Sequence, residues 1–225
     1  MPDTSPRLRA VAPLTVKSGK RTALAWTTRV TVLFADLRGY TGLAERLAPA
    51  QIMPLLDEFF GVLAKITTAH GGKVFHMAGD GMMAGFGGHR PDHDGAREAL
   101  AAGHTMLQDF GALSTRWRNE LDVDTGIGIG LHLGEVAMGL LGPPGQKSTT
   151  LVGDTVNVAA RLCGRARAGE VLLSCTVAAA VGFDDGRREP PIGPIPVLHL
   201  PQFALRGRVA PLDIWCVPAL ERVAF

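Results

Sequence analysis

Two periods of apolar and polar positions divide this chain into candidate helices and strands. Residues 1–28 hold Pro2, Pro6 and Pro13 and sustain neither period, so they read as an extended arm. Val30-Thr31-Val32-Leu33-Phe34-Ala35 is β-branched and apolar, which predicts a short buried strand ending at Asp36. Gly39 and Thr41 follow and open a helical pattern. From Pro49, the positions Ile52, Leu55, Leu56, Phe59, Phe60, Leu63 and Ile66 recur at helical spacing, and Gly71-Gly72 closes that helix. Lys73–Ala78 and Met82–Phe86 flank Gly79-Asp80-Gly81, an Asp-Gly turn that predicts a hairpin.

Beyond a polar loop at His89–Asp94, residues 95–118 form a long alanine-rich helix. Val123–Leu133 reads as a strand in which Gly126, Gly128 and Gly130 alternate with Ile127, Ile129 and Leu131. One face of that strand is stripped of side chains and accepts very close packing. A second strand is expected over Glu135–Leu141, then a helix capped by Asp154 and running to about Arg167. Val171–Ser174 is a strand, Thr176–Val181 a short helix, Pro190–Pro201 a loop, and Phe203–Leu205 and Asp213–Val217 closing strands. Helices and strands alternating around a hairpin predict an α+β fold with helices over one face of a sheet. The expected division is an arm at 1–28, a body at 29–218 and a tail at 219–225, without internal repeats.

Composition narrows the class. With 46% hydrophobic and 20% charged residues in 225, the chain is ordinary for a globular protein, and no window offers the roughly 18 unbroken apolar residues of a membrane helix. Ser5–Lys20 is interrupted by charges and prolines, unlike a signal peptide, and Cys163, Cys175 and Cys216 lack paired spacing. A reduced cytoplasm is the expected compartment. The net charge of +2 is uneven. Arg7, Arg9, Lys17, Lys20, Arg21 and Arg29 against Asp3 give residues 1–30 a charge of +5, leaving −3 for the rest. The scattered charges read as a solvated tail, with membrane contact as the alternative. No aromatic residue interleaves with them before Trp26, so a nucleic-acid platform is not supported.

Three segments carry chemistry. In Leu33-Phe34-Ala35-Asp36-Leu37-Arg38-Gly39-Tyr40-Thr41, a carboxylate at a strand end precedes a glycine turn into a helix. Backbone N–H groups at such a start attract anions, and Mg²⁺ bridges carboxylates to phosphates. Asp80, at the hairpin tip, is a second carboxylate that a fold can bring beside Asp36 to hold two ions; alone it reads as an ordinary turn residue. In Val152-Gly153-Asp154-Thr155-Val156-Asn157-Val158-Ala159-Ala160-Arg161, Asn157 and Arg161 share one helix face. A guanidinium aimed at a phosphoryl group stabilises charge in the transition state; an isolated pair of this spacing reads as solvent-facing.

Taken together and in this order, with Gly126-Ile127-Gly128-Ile129-Gly130-Leu131-His132-Leu133-Gly134-Glu135-Val136 between the second and third, these segments resemble the class III nucleotidyl cyclase catalytic domain over about Arg29–Val217. The resemblance implies a ferredoxin-like, palm-type βααβ domain with a mostly antiparallel sheet covered by helices. It further implies a head-to-tail homodimer with shared active sites and two Mg²⁺ or Mn²⁺ per site. Asp36 and Asp80 match the metal-binding aspartates. The backbone of Leu37, Arg38, Gly39, Tyr40 and Thr41 matches the segment that contacts a metal and the phosphates. Asn157 matches the residue that positions the ribose, and Arg161 the one that stabilises the α-phosphate. Arg206, with Arg208 as competitor, fits the basic residue on the terminal phosphates. The implied reaction is attack of the ribose 3′-hydroxyl on the α-phosphorus with loss of pyrophosphate.

The same resemblance marks His76 and Thr150 as base-selecting. Adenylate cyclases usually carry Lys at the first position and Asp, Thr or Ser at the second, so Thr150 favours ATP and His76 departs from the pattern. Histidine and threonine can each donate or accept, so GTP stays open as the alternative substrate. Lys73, three positions upstream of His76, falls on the other face of a regular strand. A nucleotide-binding, dimerising regulatory module without turnover is the reading of another class.

Overall fold

A computed structural model describes residues 25–88, 93–183, 197–204 and 211–218. The chain folds in the order β1 (Ala25–Arg38), α1 (Tyr40–Arg46), α2 (Pro49–Ala69), β2 (Lys73–Ala78), β3 (Gly81–Phe86), α3 (Ala96–Leu121), β4 (Gly126–Leu141), β5 (Ser148–Val152), α4 (Asp154–Cys163), β6 (Glu170–Ser174), α5 (Cys175–Val181), β7 (Leu198–Phe203) and β8 (Leu212–Pro218). The strands form one sheet ordered β2-β3-β1-β4-β6-β8-β7, with β5 paired to β4. Every pairing is antiparallel except β4 with β6. This is the mixed, mostly antiparallel palm architecture expected.

Period-2 alternation along β1 and β4 sorts the core into two layers. Leu33, Ala35, Leu37, Ile127, Ile129 and Leu131 face one side, where α2, α3 and α5 cover them. Phe110 meets Phe59 edge-on at 5.5 Å between centroids and Trp117 at 5.7 Å, and the Trp117 indole N–H donates to Glu58 Oε2 at 3.0 Å. Val30, Val32 and Phe34 face the other side. There α4 lies on the sheet, bringing Val158 and Leu162 to Leu172 and Ile214. Helices therefore cover both faces rather than one, because the glycines of β4 open the second face to α4. A methyl on Gly130 would stand 2.8 Å from the Cα of Cys163 in α4.

Several elements differ from the pattern reading. The first strand is 14 residues long and begins at Ala25, since the polar positions before Val30 continue the ladder with β4. The two strands expected over 123–141 are one, β4, as Gly134 sits in unbroken register opposite Val30. Gly134 is a point of close approach: a methyl there would lie 2.5 Å from the Thr155 hydroxyl. Helix α4 has Gly153, not Asp154, as its N-cap and stops at Cys163, short of Arg167. β7 starts inside the proline-rich stretch, and its register shifts between Leu200 and Phe203, around Pro201, which lacks an N–H for the ladder.

Register also shifts in β2. Lys73 pairs with Gly85 and His76 with Met83, residues two apart on β3. A bulge at Phe75 thus turns Lys73 and His76 to the same face, correcting the expectation that a regular strand would separate them.

Candidate active site

Asp36 lies at the carboxyl end of β1 on the face covered by α4, in the same parity as Val32 and Phe34. Its strand partners are Gly81 of β3 and Gly128 of β4, so no side chain crowds it from either neighbour. A methyl on Gly81 would lie 3.3 Å from Asp36 Oδ1. The hairpin turn is the two residues Gly79-Asp80, and the Leu37 N–H donates to the Asp80 carbonyl at 3.1 Å. That bond ties the hairpin tip to the end of β1. The structure thus brings the two predicted carboxylates together. Burial, then the nearby Asp80 charge, raises the Asp36 carboxyl above its ordinary value, against the opposing pull of Arg38.

Arg38 lies two residues along the same face. Its guanidinium pairs with Asp36 Oδ2, donates through Nε to the Ala166 carbonyl at 3.0 Å, and donates through Nη2 to the Cys163 carbonyl. The side chain is therefore directed into the fold, and only the backbone of this residue faces the turn that follows. Gly39 takes φ +86° there and starts α1, leaving Tyr40 half-buried against the core and Thr41 exposed. The Cys163 thiol donates to the Gly128 carbonyl at 3.3 Å, and burial pushes its pKa up to about 12, so it stays a neutral packing group.

Helix α4 buries Thr155, Val158, Ala159, Leu162 and Cys163 against the sheet. Asn157 is exposed and Arg161 half-buried, one turn apart on the other side of the helix. Neither has a hydrogen bond or ion pair with Asp36 or Asp80 among the described residues. His76 is exposed on edge strand β2, and Thr150 is half-buried on β5, which packs against β2. Lys73 holds its ammonium 5.3 Å from the centre of the Phe75 ring. It lines a cavity of about 370 Å³ with Trp26, Phe75, Met138 and Thr149. Arg206 and Arg208 lie outside the described residues. The reach of Arg38 to the end of α4 and the strand character of Ser148–Val152 are the features that sequence reading missed.

The model of the adenylate and guanylate cyclase catalytic domain matches residues 24–189. The chain belongs to this family. It is 34% identical to an adenylate cyclase of Anabaena cylindrica over 148 residues, 62% of this chain and 28% of that protein. It is 25% identical to adenylate cyclase 1 of Rhizobium meliloti over 198 residues, 88% of this chain and 29% of that protein. The chain thus spans under a third of the length of these relatives. Among solved structures, it is similar to the adenylyl cyclase CyaB from P. aeruginosa, with a TM-score of 0.78 and 26% identity over 90% of this chain and 100% of that one. It is also similar to the guanylyl cyclase Cya2, with a TM-score of 0.74 and 27% identity over 88% and 95%. No helix among the described residues is long and apolar enough to cross a membrane.

Proposed function

We propose that this cyclase domain converts ATP to 3′,5′-cyclic AMP and pyrophosphate as a cytoplasmic homodimer whose active sites each draw on two chains. The observation that carries the reading is the division of labour within one chain. Asp36 and Asp80 meet at one end of the sheet, whereas Asn157 and Arg161 project from α4 with no hydrogen bond or ion pair to them among the described residues. A second chain, placed head to tail, supplies what each half lacks.

The donor set suits a hard divalent cation. Two neighbouring carboxylates burden the fold, Gly81 leaves Asp36 Oδ1 uncovered, and Arg38 satisfies only Oδ2. Asp36, Asp80 and the Leu37 carbonyl would hold Mg²⁺ or Mn²⁺, two ions per site. Bound ions lower the pKa of the ribose 3′-hydroxyl and neutralise the triphosphate.

The chain's own groups do the rest. Backbone N–H groups of Arg38, Gly39, Tyr40 and Thr41 face the phosphates, and Arg206 of the second chain holds the terminal ones. Asn157 of the second chain orients the ribose, and Arg161 stabilises charge gained at the α-phosphate as pyrophosphate departs. His76 and Thr150 of the second chain face the base. The adenylate cyclases among the relatives and the hydroxyl of Thr150 support ATP. The likeness to Cya2 and the absence of Lys at His76 support GTP as the second reading.

Mixing two defective variants tests the shared site. Asp36→Ala removes a metal ligand and abolishes turnover. Arg161→Ala lowers turnover about 10²–10³-fold while nucleotide binding persists. Mixed together, they recover about a quarter of the wild-type rate, because half of the dimers are mixed and each holds one complete site. No recovery contradicts the shared site.

A further inference from the structure

Arg38 connects the two halves of the machinery within one chain. On its β1 side, the guanidinium holds Asp36 Oδ2 and leaves Oδ1 directed at Gly81. On its α4 side, Nη2 donates to the carbonyl of Cys163, the last residue of the helix, and Nε to the carbonyl of Ala166, three residues beyond it. The guanidinium fits only because β4 has no side chain beneath it. A methyl on Gly128 would stand 2.7 Å from Nε and 2.8 Å from Cζ. The Arg38 and Asp36 side chains are 23% and 35% exposed, so the pair is partly shielded from solvent.

We propose that Arg38 is a positioning residue for both halves: it orients the metal-binding carboxylate of one active site and fixes the seat of α4, whose Asn157 and Arg161 serve the other. The inference rests on the shared-site reading above. A partner that holds one oxygen of a ligating carboxylate sets the direction of the other, and loss of such partners costs about 10–100-fold in metal affinity or activity. Loss of the helix-end bonds frees α4 to shift, and a displacement of about 1 Å in a catalytic group costs up to about 10²-fold.

Mixed dimers separate the two effects, with Asp36→Ala plus Arg161→Ala as the reference mixture. In the first test, Arg38→Met/Arg161→Ala is mixed with Asp36→Ala. The one complete site then uses the metal half of the Arg38→Met chain. In the second, Arg38→Met/Asp36→Ala is mixed with Arg161→Ala, and the complete site uses the α4 half of the Arg38→Met chain.

The first mixture needs about 10-fold or more Mn²⁺ for half-maximal activity than the reference, and the Mn²⁺ concentration that half-saturates the rise in Tm is about 10-fold or more higher for Arg38→Met than for the unsubstituted chain. The second keeps the reference Mn²⁺ requirement but loses about 10-fold or more in maximal rate. Arg38→Lys, whose single ammonium reaches Asp36 but cannot span both carbonyls, restores the Mn²⁺ requirement of the first mixture and leaves the second slow. If Arg38→Met chains do not dimerise, the Arg38→Lys mixtures decide alone. An unchanged Mn²⁺ requirement in the first Arg38→Met mixture, or an unchanged rate in the second, overturns the proposal. So does a second Arg38→Lys mixture at the reference rate. A silent reference mixture refutes the shared site itself, and this proposal with it.

Discussion

Replacing Gly130 with alanine asks whether α4 rests directly on β4. The added methyl would lie 2.8 Å from the Cys163 Cα and closer still to the Cys163 amide nitrogen and Ala159 carbonyl oxygen, all backbone of α4. Carbon atoms at rest sit roughly 3.5–4.0 Å apart, so the helix must retreat by about 1 Å. Overpacking of this kind costs about 1–3 kcal/mol. For a domain of this size, that lowers Tm by about 2–4 °C per kcal/mol. Retreat of α4 also carries Asn157 and Arg161 out of place, and a 1 Å error there lowers kcat by up to about 10²-fold. Gly111→Ala is the control: it lies in α3, nothing stands within 4 Å of its methyl, and helix propensity favours alanine by up to about 1 kcal/mol. Calorimetry with a steady-state cyclase assay reads both effects. A Gly130→Ala protein as stable and active as wild type, with Gly111→Ala behaving no better, refutes the close seating of α4.

Titration gives two further expectations. Asp36 holds its proton more tightly than an ordinary aspartate, so its contribution to the metal-free fold is full below the ordinary value of 3.8 and is lost as pH rises through its raised value. At neutral pH the two carboxylates are a cost that a divalent cation relieves, so Mn²⁺ raises Tm more at pH 7 than at pH 4.5. Equal shifts at both pH values contradict this. Burial pushes Cys163 to about 12 and Cys216 to about 11, so their protonated contribution is full below 9 and lost as pH rises through those values. Native alkylation at pH 8, read by peptide mass spectrometry, therefore labels the partly exposed Cys175 and spares the other two until the chain is unfolded.

Residues with strong local signals were legible in sequence. The Asp-Gly hairpin, the helical period of α2 and the glycine alternation of β4 each follow from chemistry within a few residues. That the stripped face of β4 receives α4 was not legible, because a helix pattern says which of its faces is apolar but not which side of a sheet it meets. The bulge at Phe75 had no local mark. It arises where the Phe75 ring settles over Gly85 beside Leu151, and a methyl on Gly85 would lie 3.0 Å from that ring. Arg38 read as part of a phosphate-binding turn, yet its side chain bonds a carbonyl 128 positions away. The candidate carboxylates emerged from strand ends and turns. Their proximity depends on the antiparallel pairing of β1 with β3, a long-range fact.

The most direct measurement of the central claim is product identity. Purified protein is incubated with ATP and with GTP in the presence of Mn²⁺, and the products are identified by mass spectrometry. The expected result is cyclic AMP and pyrophosphate from ATP as the faster reaction. Cyclic GMP as the dominant product contradicts the substrate, and binding of nucleotide without any cyclic product contradicts the enzyme.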